Sequence, residues 1–184
     1  MVLVTQNAPK LKFGDPAPDF ALPGVDGKTH TLASFKDKKI LVVVFSCNHC
    51  PYVQAYEERM ISVQRDYAAR GVQLVAICAN DANEYPDDSL ENMKIRAREK
   101  RFNFVYLRDE TQMAAKAYDA ACTPEFFAFD SSRKLQFHGR LDDNHENPKQ
   151  VTKQYLRDAL DDLLANHPVR TPESHPIGCS IKWV

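Results

Sequence analysis

The sequence predicts an α/β protein in which helices cover both faces of a central mixed sheet. Three observations predict it. Short apolar runs rich in β-branched residues alternate with longer segments of helical period, the pattern of strands interleaved with helices. The run Ile40-Leu41-Val42-Val43-Val44-Phe45 has no polar alternation, as expected of a strand buried on both faces. The 184 residues suffice for one domain with a proper core, so a single domain is expected over 1–184, with terminal extensions at 1–12 and 167–184.

The elements follow in order. Gly14-Asp15-Pro16-Ala17-Pro18 is a loop, because proline fixes φ and pushes the preceding residue toward extended backbone. Phe20 to Leu22 and Thr29 to Leu32 read as short strands around the turn signal Asp26-Gly27. After the Ile40–Phe45 strand, Pro51 suits a first helical turn, where its missing N–H is not needed. Val53, Tyr56, Met60, Val63 and Tyr67 then recur at helical spacing, and Gly71 ends the helix. Val72 to Cys78 is a second buried strand. Asp88 with Glu91 predicts a capping box opening a helix to about Arg101. Phe104 to Leu107 is a strand, and Asp109 with Gln112 caps a helix reaching about Tyr118. Phe126 to Phe129 and Leu135 to Gly139 form a hairpin. Asn147-Pro148 opens the last helix, with Val151, Tyr155, Ala159, Leu160 and Leu163 on one face. The tail from His167 holds Pro168, Pro172 and Pro176 and little periodicity.

Composition excludes several classes. A net charge of −1 suggests neither nucleic acid nor an anionic membrane as partner. No apolar run approaches the roughly 20 residues of a membrane span, and Met1 to Lys12 lacks the pattern of a secretory signal. A cytoplasmic location is therefore expected. The five cysteines Cys47, Cys50, Cys78, Cys122 and Cys179 are odd in number and widely scattered, unlike a structural disulfide framework.

The chemistry concentrates at Cys47-Asn48-His49-Cys50, between a buried strand and a helix. Two thiols separated by two residues can close a small disulfide ring. The partial positive charge and free N–H groups of a helix N-terminus favour a thiolate. A metal site is the structural alternative, but four-ligand zinc needs a second close pair, which is lacking. Haem attachment is excluded because Pro51, not histidine, follows Cys50. No metal and no cofactor are expected.

With these residues in hand, the chain resembles the thioredoxin superfamily, and within it the peroxiredoxin-like (AhpC/TSA redoxin) group carrying a thioredoxin-type Cys-x-x-Cys. The resemblance rests on the strand–Cys-x-x-Cys–helix unit, on Cys122-Thr123-Pro124, on Gly14 to Leu22 and on the tail Gly178-Cys179-Ser180-Ile181-Lys182-Trp183. It implies a thioredoxin fold with an N-terminal β-hairpin extension. It implies Cys47 as nucleophile and Cys50 as resolving thiol, with a cis Pro124 facing them and Thr123 offering backbone groups to a substrate strand. Departures exist. Ser46 stands where thioredoxins carry Trp, and Leu41 where they carry a buried carboxylate, so the acid–base helper is unassigned. In the peroxiredoxin frame Cys50 takes the attacking slot, but Cys47 and Val43 replace its Thr and Pro, and no arginine stands near Thr123 or Pro124.

His49 reads either as a cation beside the thiolate or as a solvated loop residue. Cys47 is expected to have the freer sulfur and a pKa below the usual value of about 8.5. Cys78 is an inert core thiol. Cys122 is an auxiliary redox thiol or a packed small residue. Cys179 is a mobile resolving thiol or is idled by Ile181 and Trp183 pinning the tail. Lys94 to Arg101 reads as a solvated basic face, and Asp142-Asp143 and Asp161-Asp162 as surface charge. The expected function is a thiol–disulfide oxidoreductase acting on protein or small-molecule thiols and disulfides, as monomer or homodimer. The alternatives are a thiol peroxidase with Cys50 peroxidatic and Cys47 resolving, and a non-enzymatic metal- or partner-binding module.

Overall fold

The computed structural model describes residues 2–4 and 11–184. Most of the expected 1–12 extension and of the signal-peptide reading lies outside the described residues. The strands and helices run β1 (Val2–Val4), β2 (Ala21–Pro23), β3 (Thr29–Thr31), β4 (Ile40–Phe45), α1 (Pro51–Tyr67) and β5 (Val72–Cys78). Then come α2 (Leu90–Glu99), β6 (Val105–Arg108), α3 (Met113–Ala117), β7 (Cys122–Thr123), β8 (Glu125–Phe129), β9 (Leu135–Gly139), α4 (Tyr155–Leu164) and β10 (Ile177–Ser180).

A five-stranded mixed sheet, ordered β6-β5-β4-β8-β9, forms the centre. β4, β5 and β6 are parallel, while β8 and β9 run antiparallel. β4 is buried at all six positions and its side chains divide between two cores. Val42 and Val44 pack with Val53, Tyr56, Met60 and Val63 of α1 and with Leu156 and Leu160 of α4. Leu41, Val43 and Phe45 pack with Phe20, Phe35, Ala115 and Tyr118 on the other face. Phe127 stands at the centre of this second core, edge-on to Phe45 (6.0 Å) and Tyr118 (5.6 Å). Phe127→Ala is expected to destabilise the protein by ~3–5 kcal/mol, read as a lower urea midpoint, through lost burial and an unfilled cavity.

Several local readings need correction. Helix α2 is capped by Ser89, whose side chain accepts from Asn92 N at 3.3 Å, and not by Asp88. Asp88 is buried, and its carboxylate is consumed elsewhere. Asn147 caps only a single turn, Pro148–Gln150, because Thr152 then bonds to Asp143 through both N and Oγ1 and draws the chain out of helix. The last helix begins at Tyr155, and Val151 lies outside it. Asp142 is not surface charge: it is buried and accepts from Arg59 Nη1 (2.6 Å) and Tyr56 Oη (3.1 Å), tying α1 to the loop after β9. Asp162 is likewise buried, accepting from Arg170 N (3.0 Å). Arg96 leaves the solvated basic group to pair twice with buried Glu57, at 2.5 and 3.0 Å.

The tail is not irregular. β10 is the middle strand of a second sheet, β1-β10-β7, antiparallel to both neighbours. Beyond it, buried Ile181 donates its N–H to Ala121 O (3.1 Å), and Lys182 donates to Asn80 Oδ1 (2.8 Å). Ile181 rather than Trp183, which is 44% exposed, anchors this end. No helix among the described residues is long and apolar enough to cross a membrane.

Candidate active site

The site forms where β4 ends. Ser46 N still bonds to Ile77 O (2.8 Å), and the chain then turns through Cys47-Asn48-His49-Cys50 into α1. Cys50 is the N-cap of α1, in extended conformation, followed by Pro51. Asn48 locks the turn: its N–H donates to Asp88 Oδ1 (2.6 Å), its Nδ2 to Asp87 O (2.6 Å), and its Oδ1 accepts from Tyr106 Oη (3.0 Å).

Asp88 is the site residue that sequence reasoning missed. Its carboxylate also accepts from Asn80 Nδ2 (2.8 Å) and pairs with His49 Nδ1 (2.5 Å). An Asp acceptor at Nδ1 leaves Nε2 of His49 as the nitrogen available for proton transfer. The ring stacks on Tyr85 (4.9 Å, 14°) and is 21% exposed. His49 is therefore an oriented member of an Asp–His dyad, not a loose loop residue. It opens to a cleft of about 310 Å³ that Asp87 and Arg96 also line. No sequence signal marked Asp88, because the cap role next door was a sufficient local explanation of it.

The two sulfurs face each other and the Thr123-Pro124 segment. Cys47 and Cys50 interact closely enough to shift one another's pKa in opposite directions. Thr123 Oγ1 lies 3.5 Å from Cys47 Sγ, and Cys50 Sγ donates to Thr123 O at 3.2 Å. The Thr123–Pro124 peptide is cis. Buried Glu125 holds the segment by accepting from Ala121 N (2.7 Å) and Cys122 N (3.1 Å), and it pairs with buried His138 Nε2 at 2.7 Å. Cys47 is 1% exposed and Cys50 0%, so the expected freer sulfur at Cys47 is absent.

The electrostatics reverse a second expectation. The Cys47 thiol is held up, not depressed, because it donates to Cys50, is buried, and lies near the Asp88 charge. Cys50 is pulled down to about 4, chiefly as acceptor of the Cys47 thiol, aided by Cys179, Val53 N and Thr123. Burial and the Thr123 carbonyl oppose an anion there, but several donors converge on one sulfur at a helix N-terminus, and these outweigh them. The reduced pair therefore shares a proton, with its negative charge on Cys50.

The other thiols separate by environment. Burial pushes Cys78 up to about 12, consistent with an inert core thiol. Cys122 is fully buried and also pushed up, by burial and by Glu125. Cys179 is partly exposed and stands directly across from Thr123 in the β10–β7 ladder. The backbone edge of Thr123 that the resemblance offers to a substrate strand is thus paired with β10. Gly178 permits this approach, since a Cβ there would sit 2.0 Å from Thr123 O. Gly178→Ala is expected to lift β10 from β7 and to speed alkylation of Cys47 and Cys50 by iodoacetamide several-fold, read by mass spectrometry.

Cys47 Sγ, a His49 nitrogen and an Asp88 oxygen also lie within 4.8 Å of one another, close enough to consider a cation. Two ligands on one tetrahedral zinc, with bonds of ~2.0 Å, stand ~3.3 Å apart. At 2.5 Å, His49 and Asp88 are hydrogen-bonded to each other and not set as ligands.

Comparison with known proteins gives the family. The Redoxin family profile matches residues 12–156. An uncharacterized conserved protein from Geobacillus kaustophilus is 44% identical, with a TM-score of 0.93, covering 100% of this chain and 97% of that one. A hypothetical protein from Sinorhizobium meliloti 1021 is 41% identical, with a TM-score of 0.92, covering 99% of each. A thiol:disulfide interchange protein of the thioredoxin family from Chlorobium tepidum TLS is 25% identical, with a TM-score of 0.57, over 73% of this chain and 87% of that one. A search of curated proteins finds no match. With a thioredoxin fold, a cysteine pair at the strand–helix junction and this family match, the chain belongs to the Redoxin family and is a thiol redox protein.

Proposed function

We propose that this protein is a thiol–disulfide oxidoreductase whose redox couple is Cys47 and Cys50. The observation that carries the proposal is the placement of both sulfurs on Thr123 at the N-terminus of α1, Cys47 Sγ 3.5 Å from Thr123 Oγ1 and Cys50 Sγ 3.2 Å from Thr123 O. The Cys50 thiolate attacks a substrate disulfide, expelling one half as a thiolate and leaving a mixed disulfide on Cys50. Cys47 then gives up its proton, through water, to the free nitrogen of His49, which Asp88 orients. Its sulfur attacks Cys50 Sγ, releases the second half and closes the Cys47–Cys50 disulfide. This order reverses the roles implied by the thioredoxin resemblance, because the anion rests on Cys50 and the base stands beside Cys47.

The test is reduction of insulin disulfides and of a small aromatic disulfide by wild type, Cys47→Ser and Cys50→Ser. Turnover by the wild type, and a mixed disulfide trapped on Cys50 once Cys47→Ser is combined with Cys179→Ser, are expected. Trapping in Cys50→Ser instead would restore the thioredoxin order, and wild-type inactivity on both substrates would sink the reading.

A second reading, thiol peroxidase, is favoured by one observation: the acidic sulfur is buried, which suits a small oxidant. Cys50 would pass to sulfenic acid and condense with Cys47, releasing water. Among the described residues no arginine is hydrogen-bonded to either sulfur, so the donors that would stabilise the leaving oxygen are missing. Hydrogen peroxide consumption with dithiothreitol as reductant separates the two readings.

A further inference from the structure

We infer that Cys179 is a third redox thiol, which exchanges with Cys50 and carries the disulfide from the sealed Cys47–Cys50 pair to the solvent. The inference rests on the reading of Cys47 and Cys50 as the redox couple.

The placement comes from strand register. Cys179 pairs with Thr123 across the β10–β7 ladder, so their side chains stand on the same face of that sheet. Thr123 points its Oγ1 at Cys47 Sγ and its carbonyl at Cys50 Sγ. Cys179 packs against the same apolar cluster as both site cysteines, close enough that Cys50 raises its pKa. The close backbone approach at Gly178, together with the anchors at Ile181 and Lys182, sets that position. Cys179 is thus neither a roaming tail thiol nor an idle one. Cys122, its neighbour on β7, alternates to the opposite face from Thr123 and is wholly buried.

Access gives a third thiol its role. The couple exposes 1% of Cys47 and none of Cys50, so with β10 in place the partly exposed Cys179 is the sulfur that an external thiol meets first. Cys179 is the one site cysteine with appreciable contact with water. In the reduced protein its thiol is pushed up to about 11, by burial and by the anion on Cys50. Closing the Cys47–Cys50 disulfide removes that anion, so Cys179 becomes easier to deprotonate when it is needed.

The steps balance as thiol–disulfide exchanges. Cys179 loses its proton to water, and its sulfur attacks Cys50 Sγ. The Cys50–Cys179 bond forms as the Cys47–Cys50 bond breaks, and Cys47 leaves as a thiolate and takes a proton. An external thiolate then attacks the partly exposed Cys179 sulfur and expels Cys50, a good leaving group because its thiol is acidic. A second external thiol frees Cys179. The sum converts two thiols and one protein disulfide into one external disulfide and the protein dithiol.

Full-length wild type, Cys47→Ser and Cys179→Ser would be oxidised with diamide, blocked with an alkylating agent and mapped by mass spectrometry. Reduction of the oxidised wild type and Cys179→Ser by glutathione would be timed. Cys47→Ser is expected to yield a Cys50–Cys179 disulfide. Cys179→Ser is expected to keep the Cys47–Cys50 disulfide but to lose it to glutathione about tenfold more slowly, or slower still. The relay is overturned if Cys179 stays free in oxidised Cys47→Ser, or if Cys179→Ser is reduced at the wild-type rate. In the latter case the Cys47–Cys50 couple still stands. Failure of both the wild type and Cys179→Ser to form a Cys47–Cys50 disulfide would overturn both.

Discussion

Cys50→Ser is expected to lower disulfide-reducing activity by at least ~10³-fold and to erase the acidic thiol, whereas Cys47→Ser is expected to turn over more slowly but keep that thiol. The asymmetry follows from who donates to whom. In wild type the Cys47 thiol, the Val53 N–H and Cys179 all donate to Cys50. A serine at 47 retains an O–H that can donate in the same direction, so a thiolate persists. A serine at 50 offers no sulfur to stabilise, and without Cys50 burial still raises Cys47, Cys122 and Cys179, joined at Cys47 by the Asp88 charge. Ultraviolet thiolate absorbance reads this directly. The wild-type signal should hold from neutrality downward and vanish as pH falls through about 4, and Cys50→Ser should show no such transition. The same shift has a stability consequence in the reduced protein. Between about 4 and the ordinary thiol value of 9.0, the unfolded chain binds a proton at Cys50 that the folded chain does not. Folding stability therefore rises with pH across that window and is lost as pH falls through about 4. Above the ordinary value the sign changes, because folded Cys47 keeps a proton that the unfolded chain releases.

Asp88→Ala is expected to cost about 3–5 kcal/mol of folding stability, read as a lower urea midpoint, with Asp88→Asn losing less. The buried carboxylate satisfies donors from three places at once: Asn48 N, His49 Nδ1 and Asn80 Nδ2. Alanine strands all three. Asparagine keeps one acceptor but turns an NH₂ toward the other donors. The chemical effect runs opposite to the structural one. The Asp88 charge helps hold Cys47 up, so its removal should let Cys47 ionise at lower pH while His49 loses its orientation. A lower Cys47 transition with slower closure of the Cys47–Cys50 disulfide distinguishes a positioning role from simple loss of fold.

The parts legible in the sequence were those set by local periodicity. Ile40–Phe45, Val72–Cys78 and Leu135–Gly139 appear at their expected bounds, because runs of β-branched and aromatic residues constrain a strand wherever it lands. The cysteine pair was legible for the same reason, since strand, loop and helix are contiguous. Residues whose role depends on distant partners were not. Asp88 sits one position before a competent cap, Ser89, and its true partners lie 39 and 40 residues away at His49 and Asn48. Asp142 meets Arg59 across 83 residues. β10 carries only four residues among prolines, and nothing local reveals that β1 and β7 flank it. The pKa order of the thiols was misread because helix-end reasoning treats each cysteine alone, while here one thiol is the other's donor.

β10 has a consequence for selectivity. The docking edge beside Pro124 already has a resident, tethered to the same molecule and present at an effective concentration on the order of millimolar. A guest peptide must evict that resident before it can lie along Thr123, and weakly binding unfolded chains will fail to do so. Substrate choice is thereby shifted toward compact disulfides, or toward specialised proteins able to unzip the latch.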